Sequence, residues 1–341
     1  MAKDWPNSHK RIVPTIMTLS DPRAWTDAEG FLRRAQSILA ITHMQPDGDA
    51  IGSLLAFTHA MRALGKQVTP TCQDKPQARF EFLNGVHDVK QNAGEKYDLI
   101  VALDSSDLLR LGNIFMPALH ANLPMVVFDH HITNTQYGTV NVVEPGMAST
   151  CEVVYRLLNR LGIALNNDIS AALLTGIITD TLAFRTSNTT PDTLATAMEC
   201  MRVGASLTEI TRRALVMRPY ESLKLLGAGL SAAHLDERIV YASITRKLRK
   251  EIGNREERGD GGLVGQLITA NEADVAVVFV ELSDGNIEIG FRAAPGFDIS
   301  QVAVEFGGGG HPAAAGCTIP GPMRDAVNRV IQRLKQSMKE A

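Results

Sequence analysis

Apolar and polar positions follow two rhythms along this chain. Short continuous apolar runs, SILAIT (37–42), DLIVALD (98–104) and MVVFDHH (125–131), each give way abruptly to acidic or histidine residues. Runs of this length and composition predict buried strands of a mainly parallel sheet. Between and after them, apolar residues recur at helical spacing. This pattern predicts helices over 49–64, closed by Gly65, over about 149–161, stopped by Gly162, and over about 168–180, beginning near Asp168. The alternation predicts an α/β architecture. The character then changes. TPDTLATAMECMRVGA, SLTEITRRALVM and YESLKLLGAGLSAAHL are three consecutive helical stretches, separated by Gly204 and Pro219. Strand patterns return at 238–245, 274–282 and 286–294, the last two joined by a Ser283-Asp284-Gly285 hairpin turn. An amphipathic helix over 323–339 closes the chain.

These shifts divide the chain into an N-terminal extension (1–36) with a short helix near 27–36, a first α/β domain (37–189), a helical connector (190–232) and a smaller α/β domain (233–341). The extension contains both tryptophans, Trp5 and Trp25. It could pack on the first domain, build a homodimer contact or stay disordered. The charge-dense stretch 246–258, RKLRKEIGNREER, is mixed in sign and reads as a solvated face.

Composition narrows the function. The chain has 341 residues, is 45% hydrophobic, and sets 34 Lys+Arg against 37 Asp+Glu for a net charge of −3. That excludes a disordered chain. It also argues against a tight binder of long nucleic acid, which needs a basic surplus to displace counterions. Four cysteines, Cys72, Cys151, Cys200 and Cys317, form no CxxC pair, so they read as reduced thiols rather than a zinc site or disulfide framework. The N-terminus lacks a signal-type apolar region, and no apolar run reaches the ~18 residues of a membrane span. A cytoplasmic protein without a membrane partner is expected.

The polar residues that end the strands carry the candidate chemistry. His43, Asp47 and Asp49 lie on a Pro- and Gly-shaped loop between a strand end and a helix start. In open α/β sheets ligands bind in that crevice. Helix capping explains one aspartate there, not two and a histidine. Asp104 ends the second apolar run, Asp129-His130-His131 ends the third, and Asp180 interrupts the otherwise apolar AALLTGIITDTLAF. A carboxylate in such a stretch is not expected to be buried unpaired. Together these residues fall at one end of one sheet. Four carboxylates crowded there would repel one another unless cations sit between them. Oxygen-rich sites with a few imidazoles suit Mn²⁺ or Mg²⁺ better than zinc. Two such ions activate water and stabilise attacking and leaving oxygens in phosphoryl hydrolysis.

HMQPDGDAIGS, ALDSSD, DHH and GIITDT, in that order, resemble the motifs of the DHH phosphoesterase superfamily. GFRAA and GGGGHPAAAG look like its DHH-associated C-terminal domain. The two-domain length and the segment DTLAFRTSNTTPDTL are similar to its nanoRNase / pAp phosphatase branch, which acts on oligoribonucleotides of a few residues and on 3′-phosphoadenosine 5′-phosphate. The resemblance implies that His43, Asp47 and Asp104 hold one Mn²⁺, and that Asp49, Asp104, His130 and Asp180 hold another, Asp104 bridging; Mg²⁺ or Co²⁺ could substitute. It implies further that Asp129 orients a ligand and that His131 meets the scissile phosphate. Arg292 and Gly308, Gly309, Gly310 and His311 would grip the far end of a short RNA or nucleotide. Glycine also lets backbone N–H groups approach phosphate closely. Other readings are a cyclic di-AMP phosphodiesterase, a RecJ-type single-strand exonuclease, for which the charge and the 5% aromatic content are poor, an inorganic pyrophosphatase, whose second domain would lack GGGGH, and a non-catalytic nucleotide-binding protein.

Overall fold

The computed structural model describes residues 20–340, apart from residues 22, 95, 117–119 and 255–258; Trp5 and the side chain of His311 lie outside the described residues. The chain divides into two compact units, Met1–Met217 and Arg218–Ala341.

In the first unit the apolar runs become strands β1 (Ser37–Thr42), β3 (Leu99–Leu103) and β4 (Met125–Asp129). Two further strands, β2 (Gln67–Thr71) and β5 (Val140–Val143), flank them. All neighbours pair in parallel, in the order β2-β1-β3-β4-β5. The central strands are apolar between their end residues because both faces are covered. The edge strands escape the sequence pattern: β2 is QVTPT, and its Pro70 is tolerated on an edge strand whose outer flank pairs only at Lys90, the Pro70 carbonyl accepting from the Lys90 N–H.

The helices of this unit are α1 (Ala24–Arg34), α2 (Gly48–Ala63), α3 (Thr150–Leu161), α4 (Asn167–Asp180), α5 (Pro191–Arg202) and α6 (Leu207–Thr211). Their starts follow capping chemistry. Ser149 accepts from the Glu152 N–H, Asn166 from that of Ile169, and Thr190 forms a capping box with Thr193. Helices α2 and α4 are buried along most of their length and approach closely at two glycines. A Cβ on Gly52 would lie 2.5 Å from the Ala172 carbonyl oxygen, and one on Gly176 would lie 2.3 Å from Cys151 Sγ. Helix α1, inside the stretch read as an extension, buries Trp25, Ala28 and Leu32 in the same core. The Trp25 indole N–H donates to Glu144 Oε1 at 2.8 Å, and its ring lies 6.3 Å from that of Phe128.

The second unit opens with α7 (Tyr220–Ser231) and continues through β6 (His234–Asp236), β7 (Ile239–Ile244), α8 (Arg246–Ile252), α9 (Leu263–Leu267), β8 (Val275–Glu281), β9 (Asn286–Ala293), α10 (Ser300–Glu305), β10 (Gly309–His311), β11 (Ala314–Pro320) and α11 (Met323–Glu340). Its sheet runs β10-β11-β9-β8-β7-β6, with only the β7–β8 pair parallel. One face packs on α10 and α11, the other on α7 and α9. The helical run 190–232 is therefore shared between the units, dividing after Met217. The charged stretch 246–258 is not wholly a solvated face. Arg249 is buried and donates to Asn254 Oδ1 at 2.7 Å and to the Gly259 carbonyl. No helix among the described residues is long and apolar enough to cross a membrane.

Candidate active site

The strand order places a crevice before any side chain is considered. The chain moves one way from β1 to β2 and the other way from β3 through β5, so the connections leaving β1 and β3 part at their carboxyl ends. Such a switch point is where open α/β sheets bind ligands. His43 directly follows β1, Asp104 follows β3, and Asp129 ends β4.

Three overlapping clusters converge there: His43, Asp47 and Asp104; Asp49, His130 and Asp180; and Asp104, His130 and His131. His43 Nε2 lies 3.5 Å from Asp104 Oδ2 and 3.9 Å from Asp47 Oδ1. His130 Nε2 lies 3.2 Å from Asp180 Oδ2, 3.8 Å from Asp104 Oδ1 and 3.9 Å from Asp49 Oδ2. The His43–Asp104 and His130–Asp180 pairs are within hydrogen-bonding reach, whereas the gaps of 3.8 and 3.9 Å exceed a hydrogen bond and have the spacing of donor atoms around a shared centre. Asp104 belongs to two of the clusters and has φ 58°, a left-handed backbone that non-glycine residues rarely adopt.

The surroundings fix these carboxylates. Asp47 caps α2, its Oδ1 accepting from the N–H groups of Asp49 and Ala50, so capping and membership of the cluster coexist in one side chain. Asp49, fully buried on the first turn of α2, accepts from the backbone N–H groups of Thr150 and Cys151 at 2.6 and 2.9 Å. The Thr150 hydroxyl donates to Asp104 Oδ1 at 2.9 Å. The start of α3 thus holds two acidic residues from different elements. Thr150 and Cys151 were not singled out from sequence; the Ser149-Thr150 pair opening a helix is the signal that marks such a donor cluster.

Burial drives the Asp49 carboxyl well above its ordinary pKa, and the charges of Asp104 and Asp180 add to this. Burial also opposes ionisation of Asp104, but the bond from His43 and the charges of His131 and His130 hold it well below the usual range. For His130 burial disfavours the proton, yet the bond to Asp180 and the charges of Asp49 and Asp104 raise it to about 10.

Asp129 is fully buried and bonds three groups. It accepts from the His130 N–H at 2.9 Å, from Asn134 Nδ2 at 2.6 Å, and lies 2.7 Å from His131 Nδ1. The ring it fixes is that of His131. Burial works against a protonated His131, and the Asp129 bond outweighs it.

Arg292 and Gly308–Gly310 belong to the second unit. Arg292 is exposed on β9 and donates to the Phe291 carbonyl. The fold alone accounts for much of the glycine run. Gly307 has φ 77°, a Cβ on Gly308 would lie 2.1 Å from the Gly316 carbonyl, and Gly310 has φ 147°; a Cβ on Gly309 would meet nothing within 4 Å.

Comparison with known proteins agrees with this arrangement. Residues 37–177 match the DHH family N-terminal domain, and residues 245–340 match the DHHA1 domain. The chain is 33% identical over 333 residues to the bifunctional oligoribonuclease and PAP phosphatase NrnA of Thermus thermophilus, covering 94% of this chain and 97% of that protein. It is 27% identical to the protein of the same description from Bacillus subtilis, covering 89% and 95%. Among solved structures, an exopolyphosphatase-related protein from Bacteroides fragilis superposes with a TM-score of 0.86 at 22% identity, covering 95% and 98%. Thermus thermophilus RecJ in complex with Mn²⁺ gives 0.54 at 14%, covering 92% of this chain and 54% of that one; both likenesses concern the fold. Ordered motifs, the switch-point site and near-complete coverage by a relative of this similarity lead to one assignment: the chain belongs to the DHH family, with a DHH domain followed by a DHHA1 domain.

Proposed function

We propose that this protein is a metal-dependent phosphoesterase that hydrolyses short oligoribonucleotides, including linear dinucleotides, and 3′-phosphoadenosine 5′-phosphate. The observation that carries the reading is the convergence of Asp47, Asp49, Asp104 and Asp180 with His43 and His130 at the switch point. The full-length relatives named above support the substrate class.

The donor set fits divalent cations. It is rich in carboxylate oxygen, carries two imidazoles, and leaves Asp49 with an energetic conflict that a cation would relieve. His43, Asp47 and Asp104 would hold one Mn²⁺ and Asp49, Asp104, His130 and Asp180 a second, with Mg²⁺ or Co²⁺ as substitutes. When bound, the ions supply an activated water and neutralise charge on the phosphoryl oxygens. The chain's own residues do the rest. Thr150 and the α3 N–H groups fix the Asp104 and Asp49 carboxylates before substrate arrives. Asp129 holds the His131 ring through Nδ1 and favours its protonated form. That leaves Nε2–H free to donate to a phosphoryl oxygen as charge builds there.

The test is Mn²⁺-dependent turnover of a 5′-phosphorylated dinucleotide alongside 3′-phosphoadenosine 5′-phosphate, a five-residue RNA, single-stranded DNA and cyclic di-AMP. Asp104→Asn and His130→Ala are each expected to lower kcat at least ~100-fold. Near-wild-type turnover in both variants would overturn the assignment. A clear preference for cyclic di-AMP or long DNA would move it to another branch of the family.

A further inference from the structure

The strand end beside His130 and His131 is held from outside the sheet. Asp129, the last residue of β4, pairs with Val143, the last residue of β5. The next residue, Glu144, donates its backbone N–H to the Asp129 carbonyl at 2.9 Å. Successive residues of a strand turn their backbone groups to opposite flanks, so those of Val143 face the outer edge of the sheet. Ser20 meets them there. Its Oγ accepts from the Val143 N–H at 2.6 Å and donates to the Val143 carbonyl at 3.2 Å.

Glu144 is buried, and its Oε1 accepts the Trp25 indole N–H at 2.8 Å. A buried carboxylate is costly without donors, so this bond decides where the Glu144 side chain rests. The Trp25 ring lies against Phe128, and the guanidinium groups of Arg156 and Arg160 sit over it at 5.2 and 5.4 Å. Trp25 therefore touches both neighbours of Asp129: Phe128, which precedes it in the chain, and Glu144, which bonds its carbonyl.

Two routes carry that placement into the acidic and histidine cluster. The Glu144 N–H fixes the Asp129 backbone, and Asp129 Oδ1 accepts from the His130 N–H and lies 2.7 Å from His131 Nδ1. The Glu144 carbonyl accepts from the Met147 N–H at 2.9 Å, and the Met147 carbonyl lies 3.4 Å from His130 Nδ1. A histidine whose Nδ1–H donates to a carbonyl presents Nε2 as its ligand nitrogen, and that carbonyl sets the direction of the ring. His130 Nε2 is the atom that faces Asp49, Asp104 and Asp180. Every residue in this chain of contacts belongs to the first unit.

We infer that Trp25 is a positioning residue of the metal centre: through Glu144 it sets Asp129 and the Met147 carbonyl, which orient His131 and His130, while Ser20 clamps the same strand end. The inference rests on the metal-dependent reading above. It gives the stretch before β1 a part in the site as well as in the core. Loosening this contact weakens metal binding out of proportion to the stability lost.

The experiment titrates metal-free, full-length protein with Mn²⁺ by calorimetry and needs no substrate; thermal unfolding checks that each variant is folded. Trp25→Phe keeps a ring against Phe128 but removes the indole N–H. Glu144→Ala removes the acceptor, whereas Glu144→Gln keeps an oxygen that can accept. Leu32→Ala, two turns along α1 on the same buried face, is the packing control. Trp25→Phe and Glu144→Ala are each expected to raise the Kd for Mn²⁺ about tenfold. The double variant should bind no more weakly than Glu144→Ala alone, because both changes remove one bond. Glu144→Gln should recover most of the loss, and folded Leu32→Ala should bind Mn²⁺ as the wild type does. Wild-type affinity in Trp25→Phe, equal weakening in Leu32→Ala, additive losses in the double variant or no recovery in Glu144→Gln would each overturn this inference and leave the proposed function standing. If Glu144→Ala does not fold, Trp25→Phe against Leu32→Ala decides. A wild type that takes up no Mn²⁺ would overturn both.

Discussion

With its neighbours ionised and no cation present, His130 holds a proton, because Asp180, Asp49 and Asp104 surround it and raise its pKa to about 10. To act as a ligand it must release that proton. Two consequences have definite signs. The folded pKa lies above the unfolded value, so in metal-free protein His130 contributes stability fully present below about 6.5, lost as pH rises through about 10. Metal uptake near pH 7.5 is expected to release protons, and calorimetric titration with Mn²⁺ in buffers of different ionisation enthalpy measures this directly. The release should shrink in His130→Ala; an equal release in both proteins would place the proton elsewhere. The residues of this site were legible because strand ends are positions where a single acidic side chain already stands out. Their hydrogen-bond partners were not. Thr150 reaches Asp104 from 46 positions away, and Asn134 reaches Asp129 through an irregular loop, and no periodicity encodes either pair.

Helices legible in the sequence owe that to caps and glycine stops, as at Gly162, whose φ is 70°. Strands β2 and β5 were missed because an edge strand needs neither a continuous apolar run nor full burial. Helix α1 was seen as a helix, but only packing reveals that its Trp25 face completes the first core. The close contact of α2 with α4 has a functional side. A Cβ on Gly176 would lie 2.5 Å from Asp49 Oδ1 as well as against Cys151. Gly176→Ala is therefore expected to cost about 1–3 kcal/mol of stability by overpacking. It should also lower kcat more than its stability loss explains, because the displaced group is Asp49. Chemical denaturation together with turnover at a temperature where both proteins are folded separates the two effects; an unchanged kcat would mean that Asp49 is free to shift.

Each unit has a sheet and core of its own, and the division after Met217 falls inside the helical run, beside Pro219, one of the two breaks that the sequence marks in it. Sequence patterns report local faces; which sheet a helix joins depends on contacts far along the chain. Charge acts on the molecule as a whole. Two divalent ions would move the formal balance from −3 to +1, concentrating positive potential at the switch point. A substrate with few phosphates gains from that focus, whereas a long strand needs an extended basic surface. At 150 mM salt, kcat/KM is expected to fall at least about tenfold from a dinucleotide to a twenty-residue single strand. A flat or rising profile in length-series kinetics would contradict it.

The indole of Trp25 is buried, bonded to Glu144 and tilted against the ring of Phe128, the residue immediately before Asp129. Trp5 is the other of the chain's two tryptophans. A Trp5→Phe protein would thus carry a single fluorophore, one residue-to-residue contact away from the loop that bears His130 and His131. Its emission can follow both metal loading and the opening of the first core without any substrate, giving the protein an intrinsic optical gauge of its own active site.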